Sequence, residues 1–398
     1  MNIKLLLVML SFITFVGSCA MPSSNQKLIT KSSAELENPF FIESSLYMKY
    51  PHFDKVKNEH YTPAFKKGME NHMSEIETIA NNTDSPTFDN TITAMEISGE
   101  LLDRVATVFF SLTSAHTNDE MEKIRSEMAP KLSAHRDQIL LNGSLFKRIS
   151  ELNNNKNNLG LNREAIRLIE KYYTDFIRSG AKLSTEEKEE LKTINGKIAV
   201  LQTNFSQNIL KEVNALAVVV NSREELDGLN NSSIEAAANE ANSRGLKGKY
   251  VIALKNTSGQ PAMASLKNRS LREKIHKTSL SRGSNGGDFD NRENLSKVIK
   301  LRAVRAQLMG YKNHAAYSLE SQTAQTPEAV NERLSSLAPK ALDNAKKEAA
   351  DLQKMIDAEG GEFKLASWDW DFYTEKVRSE RYSFDASQLK PYFEMDNV

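Results

Sequence analysis

The chain has 398 residues, and its 52 Lys+Arg balance its 52 Asp+Glu. That balance excludes the basic footprint of a nucleic-acid binder and the behaviour of an acidic tail. With 39% hydrophobic and 26% charged residues, and only 17 Gly and 10 Pro, the composition suits a soluble, helix-rich protein and not a turn-dense all-β one. The length accommodates one large core or two to three domains.

Lys4 precedes an apolar run, Leu5 to Val16, which is too short to span a bilayer and is followed by Gly17 and Ser18. Cys19 is the single cysteine, so neither an intrachain disulfide nor a Cys-rich zinc site is possible. Val16-Gly-Ser-Cys19 resembles the bacterial lipobox. The resemblance implies removal of residues 1–18 as a signal peptide and lipidation of Cys19, with residues 19–37 as a polar tether. Without Asp after Cys19, the address expected is an outer-membrane lipoprotein facing the periplasm. An ordinary signal peptide with a chance Cys, giving a secreted or soluble periplasmic protein, is the alternative.

Pro39, Pro51 and Pro63 rule out a continuous helix at the entry. Thr62 with Pro63 predicts a helix start, carried on by Phe65, Met69, Met73, Ile76 and Ile79. Residues 81–86 read as a turn. One helix is expected from about Asp89–Thr91, with Ile92, Met95, Leu102, Val105, Phe109 and Leu112 as its buried stripe. Another runs from Asp119 to about Leu141 and should kink or restart at Pro130. Asn153 to Asn158 reads as a loop, and Asn162 to Ser179 as a helix stopped by Gly180.

Ser184 and Glu187 form a capping box that opens the longest periodic run, Leu191, Ile194, Ile198, Leu201, Phe205, Ile209 and Val213. Its near-heptad spacing allows a coiled coil, but Asn195, Gly196, Asn204 and Asn208 dilute it, which favours a packed core helix. Two short strands, Ala217–Val220 and Lys249–Leu254, flank a helix at Ser233–Ser243. Helices are expected at Gln260–Arg282, Arg292–Leu308, Asn313–Leu319 and Pro327–Ala358. A final helix entered at Ser367 or Asp369 carries Trp368, Trp370, Phe372 and Tyr373, and a second apolar run reaches Phe393. Val398 follows with no polar release, and the chain reads as cut there.

A helical zinc site needs two His at i and i+4 with a Glu beside them. The seven histidines, His52, His60, His72, His116, His135, His276 and His314, include no such pair, so none is assigned. Asp369, Asp371 and Glu375 suggest an acid/base pair, but residues two apart on a helix point to different faces; a capping or surface role fits better. Gly283–Gly287 lacks the Lys-Ser/Thr of a phosphate loop and reads as a flexible loop. Lys300, Arg302 and Arg305 read as a charged helix face. A Ser/His/Asp triad cannot be argued from spacing.

Trp368-Asp-Trp-Asp-Phe-Tyr-Thr-Glu-Lys-Val-Arg378, Tyr382, Asp385 and Leu389-Lys-Pro-Tyr-Phe393 resemble the thimet-oligopeptidase-like zinc metallopeptidases, in their bacterial dipeptidyl carboxypeptidase branch. Asn38-Pro-Phe40, Pro86-Thr-Phe-Asp-Asn-Thr91, Asn204-Phe-Ser-Gln-Asn208, Asp290-Asn-Arg292, Leu301-Arg302 through Gly310-Tyr311, and Met355 to Gly361 extend the likeness co-linearly from Asn38 to Val398. Ser258-Gly-Gln-Pro261 departs from it, lacking the aromatic usual before Gln-Pro.

The resemblance implies a mainly α fold: the multi-helix N-terminal portion of a zincin-like oligopeptidase, with a small two-stranded β element near 217–254. Residues 38–256 would form an N-terminal helical domain and 257–398 the start of the catalytic domain, before its zinc motif. It also implies a monomer that acts on oligopeptides, uses zinc in the complete enzyme, binds no nucleic acid and meets the membrane only through a lipid. No catalytic or metal residue is expected in this chain, which alone should take no zinc and be inactive. Trp368, Trp370, Tyr373, Tyr392 and Phe393 should be partly uncovered. The competing reading is a non-catalytic helical lipoprotein that binds peptides or a partner.

Overall fold

The computed structural model describes residues 38–254, 259–383 and 386–395. Residues 1–37, and with them Cys19 and the expected signal peptide and tether, lie outside the described residues, as does Ser258. Among the described residues no helix is long and apolar enough to cross a membrane.

Asn38 is buried; its side chain accepts the Phe40 N–H and donates to the His60 carbonyl at 2.8 Å. That double anchor sets Phe40 against Tyr61, with ring centroids 5.4 Å apart. Helix α1 (Asn58–Ala80) starts about a turn before the expected Thr62, because His60 Nδ1 accepts the Lys57 N–H. Pro63 consequently lies inside the helix.

The single helix expected from Asp89 is two. A π-helical turn, Phe88–Thr93, and one α turn, Ala94–Glu96, end before Gly99, and α2 (Glu100–Ala115) begins after it. Gly99 has φ +79, and a Cβ there would lie 2.8 Å from His72 Nδ1, so the break needs glycine twice over. Helix α3 (Asp119–Leu140) carries Pro130 inside and does not restart there.

A helix not foreseen, α4 (Gly143–Asn155), follows under an Asn142 cap and buries Leu145, Ile149 and Leu152; a 3-10 turn, Lys156–Asn158, prolongs it where a loop was expected. Its buried Arg148 donates to the carbonyls of Asn82 and Asp84 and to Asn90 and Thr91, which ties the 81–86 turn to the bundle. Helix α5 (Arg163–Arg178) has an Asn162 cap. Both ends of α1 are buried, in separate clusters: Phe65 with Val105, Phe109 and Met128, and Ile76 with Ile92, Leu145 and Ile149.

The predicted capping box opens α6 (Thr185–Ala215), a core helix packed against α3 and α9 (Arg292–Leu308). It leads to a two-stranded antiparallel sheet, β1 (Val218–Val220) and β2 (Tyr250–Ile252), with Val219 opposite Val251. Helix α7 (Asn231–Ser243) packs on the sheet. The helix expected at 260–282 is a 3-10 turn, Pro261–Ala264, and a separate α8 (Arg269–Leu280), because Asn268 caps a new start. Val218, Leu226, Ile234, Leu266 and Ile275 fill the core of this module.

Helices α10 (His314–Leu319) and α11 (Pro327–Ala358) match expectation, α11 under a Thr326 cap. Residues 331–344 of α11 are all exposed, and only Leu352 and Ile356 are buried, against α12 (Trp370–Tyr382). Tyr373, expected to be partly uncovered, is instead buried in that contact, while Tyr392 and Phe393 are exposed. Trp368 and Trp370 are half-buried.

Candidate functional site

Helices α3, α6, α9 and α10 and the end of α5 converge on a polar cleft of about 600 Å³. Asp137 stands on the inward face of α3, between buried His135 and Ile139. Asn195 belongs to α6, beside its core stripe of Leu191, Ile194 and Ile198. Its amide joins the two other elements: Nδ2 donates to Asp137 Oδ1 at 2.9 Å, and Oδ1 accepts from Arg305 Nη1 at 3.2 Å. Asp137 is 7% exposed, yet among the described residues its Oδ2 meets no hydrogen-bond partner, and neither does the buried Arg305 Nε. Burial raises the Asp137 carboxyl above its ordinary range and lowers the Arg305 guanidinium.

The rim is built around Arg178, which forms an ion pair with Glu320 and donates to the Tyr317 carbonyl at 2.6 Å. Its guanidinium lies 4.9 Å from the Tyr317 ring centroid, and Tyr317 Oη donates back to the Arg178 carbonyl. Tyr311 Oη donates to Glu320, and burial and that carboxylate push Tyr311 up to about 12. Arg136, exposed on α3, lines the cleft.

An adjoining pocket shares Arg136, Leu140, Arg178, Ser179 and Tyr317 with the cleft and contains His72 and His135. His135 Nε2 lies 3.0 Å from His72 Nδ1, and His72 Nε2 lies 3.2 Å from Ser98 Oγ. The Ser98 hydroxyl donates to the Met95 carbonyl, so it accepts from His72 Nε2–H, and His72 Nδ1 accepts from His135. The serine proton points away from the imidazole, and this is no nucleophile–base pair. Desolvation lowers both rings, and His135, beside His72, falls to about 4.

Other residues singled out from the sequence lie elsewhere. His60 caps α1, His276 packs edge-on against Trp368, and His314 lies within reach of Ser318. Asp369 accepts the Ala366 N–H as a cap would, but it is not on the surface. It is fully buried and holds Arg269 at 2.8 Å and Arg272 at 2.9 Å. Burial alone would raise its pKa; the bonds from Arg269 and Arg272 prevail and hold it low. Asp371 is exposed, and Glu375 pairs with Arg378, so no carboxylate pair forms. Gly283–Gly287 is stitched to buried Glu212, which accepts from the Gly283 N–H and Asn285. Arg305 leaves the charged face read for Lys300 and Arg302 and turns into the cleft.

Among the described residues no three His, Cys, Asp or Glu are grouped to hold a metal ion, so these residues do not fit a catalytic zinc. Asp137, Arg178 and Tyr317 were not singled out from the sequence, since they meet only in the fold. Asn195, a polar residue set within an apolar seam, was the one available signal.

Residues 262–398 match the profile of peptidase family M3. The chain is 40% identical over 361 residues to the dipeptidyl carboxypeptidase of Escherichia coli K12, covering 91% of this chain and 53% of that protein. It is 37% identical over the same shares to the Salmonella typhimurium dipeptidyl carboxypeptidase. To oligopeptidase A of Haemophilus influenzae it is 29% identical, over 87% of this chain and 51% of that one. The chain thus spans about half the length of the curated relatives it matches.

Proposed function

We propose, for a chain related along most of its length to the dipeptidyl carboxypeptidases of peptidase family M3, that it serves in a zinc metallopeptidase releasing C-terminal dipeptides from oligopeptides. The observation that carries this is the co-linear 40% identity across 91% of the chain. Zinc and the general base are assigned to the complete enzyme, as in the family that the chain resembles. Residues 38–256 form its N-terminal helical domain, and 257–398 begin its catalytic domain. Their part is scaffold and channel wall, and the chain alone takes up no zinc and hydrolyses nothing.

The test is to express the longest reading frame containing these residues, and this chain alone, and to offer each N-blocked tetrapeptides with zinc. Release of C-terminal dipeptides by the longer product only, and from free-acid but not amidated peptides, is the expected result. Hydrolysis by neither overturns the peptidase reading and favours the non-catalytic peptide-binding lipoprotein. About one tightly held zinc per isolated chain, by elemental analysis, overturns the scaffold assignment.

We further propose export and attachment to the outer membrane through lipidated Cys19, facing the periplasm, on the strength of Val16-Gly-Ser-Cys19 behind a short apolar run. In a Gram-negative host the wild type should partition into detergent, and Cys19→Ala should not. Equal partitioning excludes the anchor and leaves a secreted or soluble periplasmic protein.

A further inference from the structure

We infer that the cleft between α3, α6 and α9 binds a small zwitterion of amino-acid to dipeptide size, its ammonium facing Asp137 and its carboxylate facing Arg305 and Arg136. The inference is independent of the peptidase reading.

Two buried groups in the cleft are left unmet among the described residues. Among those residues, one carboxylate oxygen of Asp137, which is 7% exposed, has no donor, and the buried Arg305 Nε has no acceptor. A buried polar group without a partner is destabilising, and a buried charge more so. The simplest relief would be a direct Asp137–Arg305 ion pair, but the structure does not make one. Asn195 stands between them and bonds each with one end of its amide, at 2.9 and 3.2 Å. The acid and the guanidinium are therefore held apart by one amide and face the same cavity.

Charge then selects the ligand. A simple anion would satisfy Arg305 and Arg136 but meet the Asp137 carboxylate. A simple cation would satisfy Asp137 but meet the guanidinium groups. A molecule with an ammonium and a carboxylate a few bonds apart satisfies both, with charge-assisted bonds at each end. About 600 Å³ accommodates a dipeptide. Phe110, Leu132, Ile198 and Met309 supply apolar wall for a side chain. Arg178 is committed to Glu320 and Tyr317 and shapes the rim.

The test titrates the whole chain by calorimetry with alanyl-leucine, N-acetyl-alanyl-leucine and alanyl-leucinamide. Wild type should bind alanyl-leucine, and each cap should weaken binding about tenfold or more. Asp137→Asn should abolish the preference for the free amine and keep that for the free acid; Arg305→Gln should do the reverse. Thermal melts check that the variants fold, and the capped ligands on wild type decide the matter even if they do not. No binding at about 10 mM alanyl-leucine, roughly ten-thousandfold above the Kd of a micromolar site, means that solvent alone fills the cleft, and overturns the inference. Binding indifferent to both caps, or preferences unchanged in folded variants, overturns it equally.

Discussion

His72 and His135 show how two residues 63 apart become one chemical unit. Each is a polar interruption of its helix in sequence, and in the fold they share a hydrogen bond at 3.0 Å. The bond needs an unprotonated His72 Nδ1, and burial opposes charge on either ring. His135 therefore titrates near 4 in the folded state against an ordinary 6.5. A depressed pKa means that the unfolded chain binds the extra proton first. The contribution of His135 is thus complete above about pH 6.5 and is lost as pH falls towards 4, on the order of 3 kcal/mol in all. Glu75 acts on the pair in the opposite sense and favours protonating His72. Urea midpoints should fall through that window, and His135→Gln should flatten the fall; an equally steep fall in the variant would remove the pair as its cause.

Asp369 makes a second case at the same scale. Its two guanidinium partners come from α8, nearly a hundred residues earlier, and Arg272 is 1% exposed. Asp369→Asn keeps the shape but strands a buried cation, which costs about 3–5 kcal/mol. Chemical denaturation should register that loss, and a change below about 1 kcal/mol would mean that the pair is solvated.

At the scale of elements, Gly99 decides where one helix stops and the next begins. Its N–H donates to Glu75 at 2.7 Å, and its φ is +79. Gly99→Ala adds left-handed strain to a collision with the His72 ring, and should cost about 2 kcal/mol or more. Since the collision lies on His72 Nδ1, the His135 resonances should shift as well. The two ends of α11 offer a contrast. Leu352 is 4% exposed, so Leu352→Ala should cost about 2–5 kcal/mol. Leu334, Leu337 and Leu342 on the exposed half should each accept Gln within about 0.5 kcal/mol. A large loss at the exposed positions would reveal a contact covering them in solution.

At the scale of the whole molecule, the apolar clusters of α1–α5 are separate from the module around the sheet, and α6 runs between them. Both tryptophans, Trp368 and Trp370, lie with the C-terminal clusters. Their fluorescence thus reports one part of the molecule, while far-ultraviolet circular dichroism reports all of it. Separate cores tend to lose two-state behaviour. The two probes should give non-coincident urea transitions, and Leu145→Ala should move the dichroism curve while leaving fluorescence nearly in place. Coincident curves that move together would mean a single cooperative unit.

Local rules were enough for much of the architecture. The capping box at Ser184, the Thr326 cap with Pro327 and the stop at Gly180 follow from backbone groups satisfied within a few residues, so neighbours in sequence suffice to read them. The first half of the α6 stripe, Leu191, Ile194 and Ile198, and the two short strands follow from side-chain period. The family likeness is also a property of sequence alone. What failed to be legible depended on distant partners. Helix α4 is stabilised by packing and by Arg148 reaching across the fold, the split at Gly99 by the His72 ring, and the burial of Asp369 by Arg269 and Arg272. The polar cleft belongs with these, because Asp137, Asn195 and Arg305 sit on three helices and become neighbours only when α6 packs between α3 and α9. Periodicity reports which face of a helix is buried; which groups meet there, and whether each finds a partner, is decided by tertiary packing.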